Sequence, residues 1–229
     1  MATISLKLQQ VHAHIARACA SADRPVSSVT LLCVSKTQPA SAVRDAFAAG
    51  ERSFGENYVQ EGVDKIATLA DLRSQITWHL IGPLQSNKTR VVAEHFDWVH
   101  SVDRLKIAQR LSEQRPAHLP PLQICLQVNI SGEVSKSGLM PDELPNVAQA
   151  VSQLPRLQLR GLMSIPEPAE SEAEQRAPHA ALRELFHALN HSGLALDTLS
   201  MGMTADMNAA ILEGATVVRV GTAIFGARG

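Results

Sequence analysis

Cysteine and aromatic side chains are scarce in this 229-residue chain, and the positive and negative charges nearly cancel. The three cysteines are an odd number without a short pairing distance, and two of them, Cys33 and Cys125, lie inside apolar runs. A buried cysteine in such a run behaves as a small hydrophobic residue. This usage predicts a reduced protein of the cytoplasm rather than a disulfide-stabilised secreted one.

The chain also lacks a basic cluster, and its formal net charge is −1. Neither nucleic acid nor an anionic membrane surface is therefore a favoured partner. No run is long and apolar enough to span a membrane, and the N-terminus has no apolar block typical of a signal peptide. Instead, Ile4, Leu8, Val11 and Ile15 recur at helical spacing. The sequence predicts an opening helix and a small-molecule partner.

Short apolar or β-branched runs alternate with helical stretches along the rest of the chain. This alternation is typical of parallel strands joined by helices, and eight such units close a (β/α)₈ barrel. The sequence predicts one α/β domain over residues 1–229, a single TIM-type barrel with an extra N-terminal helix; an open doubly wound sheet is the alternative. The eight candidate strands are Val29–Val34, Arg52–Gly55, Ile76–Ile81, Trp98–Val102, Leu122–Val128, Leu157–Met163, Leu196–Ser200 and Thr216–Val220.

One longer loop is expected in this barrel. The segment Pro166–Pro178 is acidic and punctuated by proline, and it lies between the sixth strand and a helical stretch. Such a composition favours a loop that runs into a helix.

Lys36 stands where the first predicted strand gives way to a turn and a helix. In this type of barrel the binding and catalytic groups come from the loops that follow the C-terminal ends of the strands. A lysine must be neutral to attack a carbonyl, and apolar burial or a nearby cation favours the neutral amine. Lys36 is therefore a candidate for carbonyl chemistry. The alternative is a lysine that keeps its ammonium in water.

The last two strand ends predict a phosphate site. The segment 200–204 follows the seventh strand, and the segment 221–226 follows the eighth. Loops at these two places are the usual phosphate site of the barrel, because backbone N–H groups and a short helix attract the anion. Gly221 permits close approach of the backbone, while Ser200 and Thr222 add hydroxyl donors.

Three further polar side chains are candidates at the same end of the barrel. Arg219 lies in the final strand, and its charged guanidinium requires an acceptor; a core salt bridge to Asp206 or Glu213 is the alternative. His79 follows a tryptophan in the third strand and is either a polar neighbour of a ligand or a hydrogen-bonded histidine of the barrel interior. Lys136 is either a second aldehyde-reactive or phosphate-steering lysine, or a solvated loop residue.

Seven segments taken together closely resemble one known family. They are Val34-Ser-Lys-Thr37, Phe54-Gly-Glu-Asn-Tyr58, Trp78-His-Leu-Ile-Gly-Pro-Leu-Gln-Ser-Asn-Lys88, Ser135-Lys-Ser-Gly-Leu139, Gly161-Leu-Met163, Ser200-Met-Gly-Met-Thr-Ala-Asp206 and Arg219-Val-Gly-Thr-Ala-Ile-Phe-Gly226. The chain resembles the pyridoxal phosphate homeostasis proteins, which are single-barrel relatives of the N-terminal domain of alanine racemase. The resemblance covers nearly the whole chain.

The resemblance implies a cofactor and a set of residues that bind it. Lys36 would hold pyridoxal 5′-phosphate (PLP) as an internal aldimine, and the two loops after the last strands would bind its phosphate. Arg219 would face the pyridine nitrogen, and Asn57 with two apolar residues would line the ring. No metal ion is implied. The implied cofactor-binding residues are Val34, Lys36, Asn57, His79, Ser200, Met201, Gly202, Arg219, Gly221 and Thr222.

The function implied by the resemblance is PLP homeostasis inside the cell, as a carrier and buffer without enzymatic turnover. Its partners would be the cofactor itself and the apo forms of PLP enzymes that receive it. A racemase-like PLP enzyme is one alternative. It is disfavoured because the chain ends soon after Gly226, and its only tyrosine, Tyr58, belongs to a loop that the homeostasis family shares. An aldolase-type barrel, whose lysine attacks a sugar phosphate directly, is the other alternative.

Overall fold

The computed structural model describes residues 2–132 and 137–226. Within them, eight parallel strands pair in consecutive order, and the first also pairs with the last, so that the sheet closes into a barrel. The strands are β1 Thr30–Val34, β2 Ser53–Glu56, β3 Thr77–Leu80, β4 Trp98–Val102, β5 Leu122–Gln127, β6 Leu157–Met163, β7 Thr198–Ser200 and β8 Val217–Val220. The predicted barrel is confirmed, and the open doubly wound sheet is wrong.

Helices surround this barrel in the described ranges. They are α1 Ile4–Ser21, α2 Ala40–Ala48, α3 Val59–Thr68, α4 Thr89–His95, α5 Leu105–Gln114, α6 Leu144–Ser152, α7 Glu172–His191, α8 Met207–Leu212 and α9 Thr222–Phe225. The predicted N-terminal helix is α1, whose first turn is capped by the Thr3 hydroxyl at 3.3 Å from the Leu6 nitrogen. Its buried residues Leu8, Val11 and Ile15 follow the predicted spacing. None of the helices in the described ranges is long and apolar enough to cross a membrane.

The alternation of side chains along each strand separates two apolar layers. Phe54 and Trp78 belong to the large core between the strands and the helices, where their ring centroids lie 6.0 Å apart. Leu32, Val34 and Ile81 belong to a small separate cluster in the barrel interior. Side chains alternate between these two layers along each strand, and the polar side chains at the strand ends lie at the C-terminal end of the barrel.

The acidic segment after β6 folds differently from its prediction as a loop as far as Pro178. Helix α7 already begins at Glu172, because Ser171 and Glu174 form a reciprocal capping box. Pro178 therefore lies inside the helix. The loop is correspondingly shorter than the sequence pattern indicated.

Candidate functional site

A cavity of about 240 Å³ opens at the C-terminal end of the barrel. Among the described residues, Lys36 and Arg219 are the only ionisable side chains that line it. An adjoining cavity of about 460 Å³ shares three apolar residues with it and carries Glu167. The first cavity is lined by Val34, Lys36, Thr37, Gln38, Asn57, Ile81, Ile165, Met203, Thr204, Arg219, Gly221, Thr222, Phe225 and Gly226.

The backbone on both sides of Lys36 is fixed by hydrogen bonds to β2 and α3. The Ser35 hydroxyl donates to Glu56 Oε1 at 2.6 Å, and the Ser35 carbonyl accepts from Lys65 Nζ at 2.6 Å. The Thr37 amide donates to Glu61 Oε1 at 2.5 Å. These contacts hold residues 35–38, here called the Lys36 loop, over the end of β1.

Thr37 shows that the Lys36 loop has an unusual backbone. Its φ is +64°, in the left-handed region that a β-branched residue seldom adopts. A conformation of this kind costs about 1–3 kcal/mol and persists only where its surroundings determine it. The hydrogen bond from the Thr37 amide to Glu61 helps to hold this conformation.

A buried ion pair lies beneath this loop. Lys65 Nζ is 2.8 Å from Glu56 Oε1 and 2.6 Å from Glu61 Oε1, and the side chains of Lys65 and Glu56 are 7% and 0% exposed. Burial raises the pKa of Glu56 despite the opposing effect of Lys65. Burial therefore disfavours the ionised carboxylate of Glu56, whereas Lys65 and the Ser35 hydroxyl favour it.

Arg219 reaches the cavity without a carboxylate partner among the described residues. Its Nη1 donates to the Ser200 carbonyl at 2.6 Å and to the Ser200 hydroxyl at 2.9 Å, and its Nη2 donates to the Ser164 carbonyl at 2.8 Å. Burial lowers the pKa of Arg219 to about 10, so the guanidinium is charged near neutral pH. A buried cation bonded only to neutral acceptors leaves its charge available to a ligand.

The salt bridge considered for Arg219 does not form, because both candidate carboxylates have other partners. Asp206 Oδ2 is 3.0 Å from His179 Nε2, and Glu213 pairs with Arg176 and Arg183. Asp206 Oδ1 also accepts a 2.7 Å hydrogen bond from the Met203 amide. Asp206 therefore fixes the turn after β7 rather than the guanidinium.

The loops after β7 and β8 meet at the cavity, as the sequence predicted. Gly221 lies so close to β1 that a Cβ there would be 3.0 Å from the Val34 carbonyl oxygen. Helix α9 begins at the next residue, and the first N–H groups of a helix have no intrahelical acceptor. Thr204 and Thr222 line the same cavity and carry hydroxyls. Together these groups form a region rich in hydrogen-bond donors.

Asn57 is placed by a tight contact with the loop after β3. A Cβ at Gly82 would lie 2.1 Å from the Asn57 carbonyl oxygen, so only glycine fits this approach. The contact fixes the backbone of Asn57 at the cavity wall.

Six of the ten residues proposed from the sequence line the cavity: Val34, Lys36, Asn57, Arg219, Gly221 and Thr222. The other four lie outside its lining: His79, Ser200, Met201 and Gly202. The Ser200 hydroxyl is fully buried and bonded to His100 and Arg219, so its role toward a phosphate stays a prediction. His79 is bonded to His100 in the barrel interior. Lys136 lies outside the described residues.

Several lining residues were absent from the sequence-based set. Ile81 follows His79 by two positions and so faces the same side of the strand, a signal that periodicity contains. Thr204 stood within the segment predicted to bind phosphate. Phe225 likewise stood within the predicted segment 221–226, whereas Ile165 carried no comparable signal, because its approach depends on how the loops pack.

Comparison with known proteins gives matches over the whole barrel. The family model of the alanine racemase N-terminal domain matches residues 6–229. The pyridoxal phosphate homeostasis protein of Pseudomonas aeruginosa is 64% identical over 228 residues, covering 100% of this chain and 97% of that protein. The same-named protein of Escherichia coli K12 is 54% identical over 229 residues, covering 100% of this chain and 98% of that protein.

A solved structure agrees with these sequence matches. PipY of Synechococcus elongatus with PLP bound superposes with a TM-score of 0.86 at 42% identity, covering 98% of this chain and 100% of PipY. The sequence matches and the structural match thus cover nearly the full length of these relatives. This chain belongs to the family of the alanine racemase N-terminal domain and, within it, to the pyridoxal phosphate homeostasis proteins.

Proposed function

We propose that this protein binds PLP and acts inside the cell as a carrier and buffer of the cofactor, without turning over amino acids. The names of its relatives and the PLP-bound structure of PipY support this proposal. We also propose that residues 1–229 work as one domain, which the pairing of β1 with β8 supports. The apo forms of PLP enzymes are the recipients that a carrier requires.

The residues of the cavity fit the three parts of PLP. When bound, PLP supplies an aldehyde, a pyridine ring and a phosphate. Lys36 lines the cavity and would hold the aldehyde carbon, while the donors around Gly221 and Thr222, which line it too, would bind the phosphate dianion. Arg219 suits the pyridine nitrogen, because a guanidinium donates hydrogen bonds and carries no acceptor.

The proposal rests on one observation: Lys36 and Arg219 are the only ionisable side chains lining the cavity among the described residues. Racemisation by two bases requires an acid or base on each face of a substrate. The single tyrosine, Tyr58, is 59% exposed and does not line the cavity. An aldolase likewise requires a proton-transfer group near its lysine. The lining therefore supports binding better than turnover.

Arg219 adds a second reason. A partner that only donates hydrogen bonds keeps the pyridine nitrogen unprotonated, and the ring is then a poor electron sink. Carbanion chemistry at a bound amino acid would lose its main stabilisation. Reversible capture of the aldehyde does not need that stabilisation.

Two measurements test this function. Purified protein titrated with PLP should develop a visible absorption band that Lys36→Ala lacks, whereas protein that takes up no PLP would favour the aldolase. The loaded protein should then be incubated with L- and D-amino acids in deuterated water. Exchange of the α-proton or release of keto acid near the median enzyme rate of about 10 s⁻¹ would show a PLP enzyme instead.

A further inference from the structure

A continuous hydrogen-bonded chain runs from Arg219 into the interior of the barrel. Arg219 Nη1 is 2.9 Å from Ser200 Oγ, which is 2.8 Å from His100 Nδ1. His100 Nε2 is 2.9 Å from His79 Nδ1. All four residues are buried, the most exposed being His79 at 5%. His79 Nε2 is buried without a hydrogen-bond partner among the described residues.

The direction of each bond follows from counting donors. Arg219 only donates, so Ser200 Oγ accepts from it, and the serine proton must find another acceptor. His100 Nδ1 is the one other side-chain atom that the described residues place within hydrogen-bond distance of Ser200 Oγ. His100 then carries its proton on Nε2 and donates it to His79 Nδ1. His79 in turn carries its proton on Nε2.

The opposite set of tautomers is less favourable. If His100 donated from Nδ1 to Ser200, the serine proton would have no acceptor within the chain. The lone pair on His79 Nε2 would also stay unpaired, so two buried polar groups would lack a partner instead of one. Each such group is destabilising, because it has lost its hydrogen bonds to water without replacing them. The first set of tautomers is therefore preferred.

The environment keeps both imidazoles uncharged. Burial lowers the pKa of His79 from its ordinary value to about 3. Burial also lowers the pKa of His100, and the proximity of His79 and of Arg219 lowers it further. Around Arg219, the Asp206 carboxylate raises the pKa of the guanidinium but is paired with His179, and Cys125 is a buried thiol whose pKa burial raises to about 12. The chain next to Arg219 thus carries no charge of its own.

We propose that Ser200, His100 and His79 are positioning residues: as a neutral chain with one proton direction, they orient the Arg219 guanidinium toward the cavity without neutralising it. A carboxylate would orient the guanidinium equally well but would compensate its charge. The inference rests on the proposed function in one respect only: the ligand group that Arg219 contacts is the pyridine nitrogen of PLP. Ser200 then acts through Arg219 rather than on the phosphate.

The proton direction is measured directly by nitrogen NMR of histidine side chains in the full-length protein, without and with PLP. At pH 7 His100 and His79 should both be neutral and protonated on Nε2. Protonation of His100 on Nδ1, or a doubly protonated His100, would overturn the proposal. This measurement uses the wild-type protein, so it does not depend on a variant that folds poorly.

Two substitutions of His100 test its contact with Ser200 and its contact with His79 separately. His100→Asn places an amide near the Nδ1 position and retains an acceptor for Ser200, whereas His100→Gln reaches the Nε2 position and retains only the contact with His79. His100→Asn should bind PLP within about threefold of wild type, while His100→Gln and Ser200→Ala should weaken binding at least about tenfold, the loss expected for a disturbed bond to a charged group. The nitrogen NMR chemical shift of the bound pyridine should change in His100→Gln and in Ser200→Ala.

A matched control distinguishes positioning from general loosening of the core. Ser112 is also buried, donating to the Pro155 carbonyl at 2.5 Å, and it lies outside the cavity lining. Ser112→Ala should leave both PLP affinity and the pyridine nitrogen shift unchanged. Equal effects of Ser112→Ala and Ser200→Ala would overturn the proposal.

The outcomes separate this inference from the proposed function. If the protein binds PLP while His100 is protonated on Nδ1, the proposed proton direction is wrong and the carrier function stands. If both histidines carry their proton on Nε2 while no PLP is taken up, the carrier function is wrong and the proton direction stands.

Discussion

The ammonium of Lys65 lies 2.8 Å from Glu56 Oε1, buried beneath the strand end that carries Lys36. The same ammonium donates to the Ser35 carbonyl and to Glu61, so one cation joins β2, α3 and the Lys36 loop. These bonds fix the position of the Lys36 loop at the end of β1. They also make the loop depend on an ion pair that is outside the cavity lining.

Substitution of Lys65 by methionine tests these bonds. The change leaves Glu56 buried without its cation, which typically costs 3–5 kcal/mol of the free energy of unfolding, so we expect a loss of about that size. The Lys36 loop should loosen at the same time, and PLP uptake should slow. Urea unfolding and stopped-flow absorbance measure the two effects.

Arg44 provides the control for Lys65. Its pair with Asp71 lies on the surface, with side chains 48% and 57% exposed. Exposed pairs contribute about 0–1 kcal/mol, so Arg44→Met should change the unfolding free energy little. Similar losses in Lys65→Met and Arg44→Met would contradict a structural role for the buried pair.

Removal of the Thr222 hydroxyl tests the phosphate site. Thr222→Val retains the shape of the side chain but loses a donor at the cavity wall. A hydrogen bond to a charged group contributes about 1.5–3 kcal/mol, so PLP affinity should fall roughly 10- to 100-fold. Affinity for pyridoxal, which lacks the phosphate, should hardly change. Fluorescence titration with both ligands measures the difference.

Thr68 offers a comparable hydroxyl away from the cavity, on the exposed side of α3, where it donates to the Asp64 carbonyl. Thr68→Val should leave both affinities unchanged. If Thr222→Val weakened PLP and pyridoxal equally, the phosphate would lie elsewhere.

Stability should depend on pH through the buried histidine His79. Burial lowers its pKa to about 3, whereas a histidine of an unfolded chain titrates near 6.5. Between these values the unfolded state binds the proton and the folded state does not. Stability is therefore full above about pH 6.5 and falls with decreasing pH, by about 1.4 kcal/mol per unit for such a group.

Denaturant unfolding from pH 7 to pH 4 checks this dependence. The curve of His79→Gln should be less steep than the wild-type curve by about 1.4 kcal/mol per pH unit. His118→Gln, a substitution at an exposed position, serves as the reference. Identical slopes for wild type and His79→Gln would show that His79 is not held neutral in the folded protein.

The strand ends were predictable from the sequence, because alternation of apolar runs is a local signal. β4 and β6 have the predicted bounds, and Lys36 lies two residues after the end of β1, in the turn where it was expected. Partners that depend on barrel closure were not predictable. Ser200 and His100 are separated by 100 residues, and only the closed sheet brings the serine hydroxyl beneath the cavity.

Local signals also competed with one another. Pro178 suggested a loop, but the capping box at Ser171 and Glu174 starts α7 before it. Asp206 and Glu213 were plausible partners of Arg219 by charge alone. Their actual partners lie on α7, and no sequence pattern ties that helix to either carboxylate.

The most direct test of PLP binding through Lys36 is borohydride reduction of the PLP-loaded protein followed by peptide mass mapping. Reduction makes the link between amine and cofactor permanent, so the pyridoxyl group should be found on Lys36. Lys36→Ala should then be colourless, while Lys88→Ala, at an exposed lysine, should be labelled like wild type. A label chiefly on Lys88 or Lys136, with Lys36→Ala still fully coloured, would contradict it.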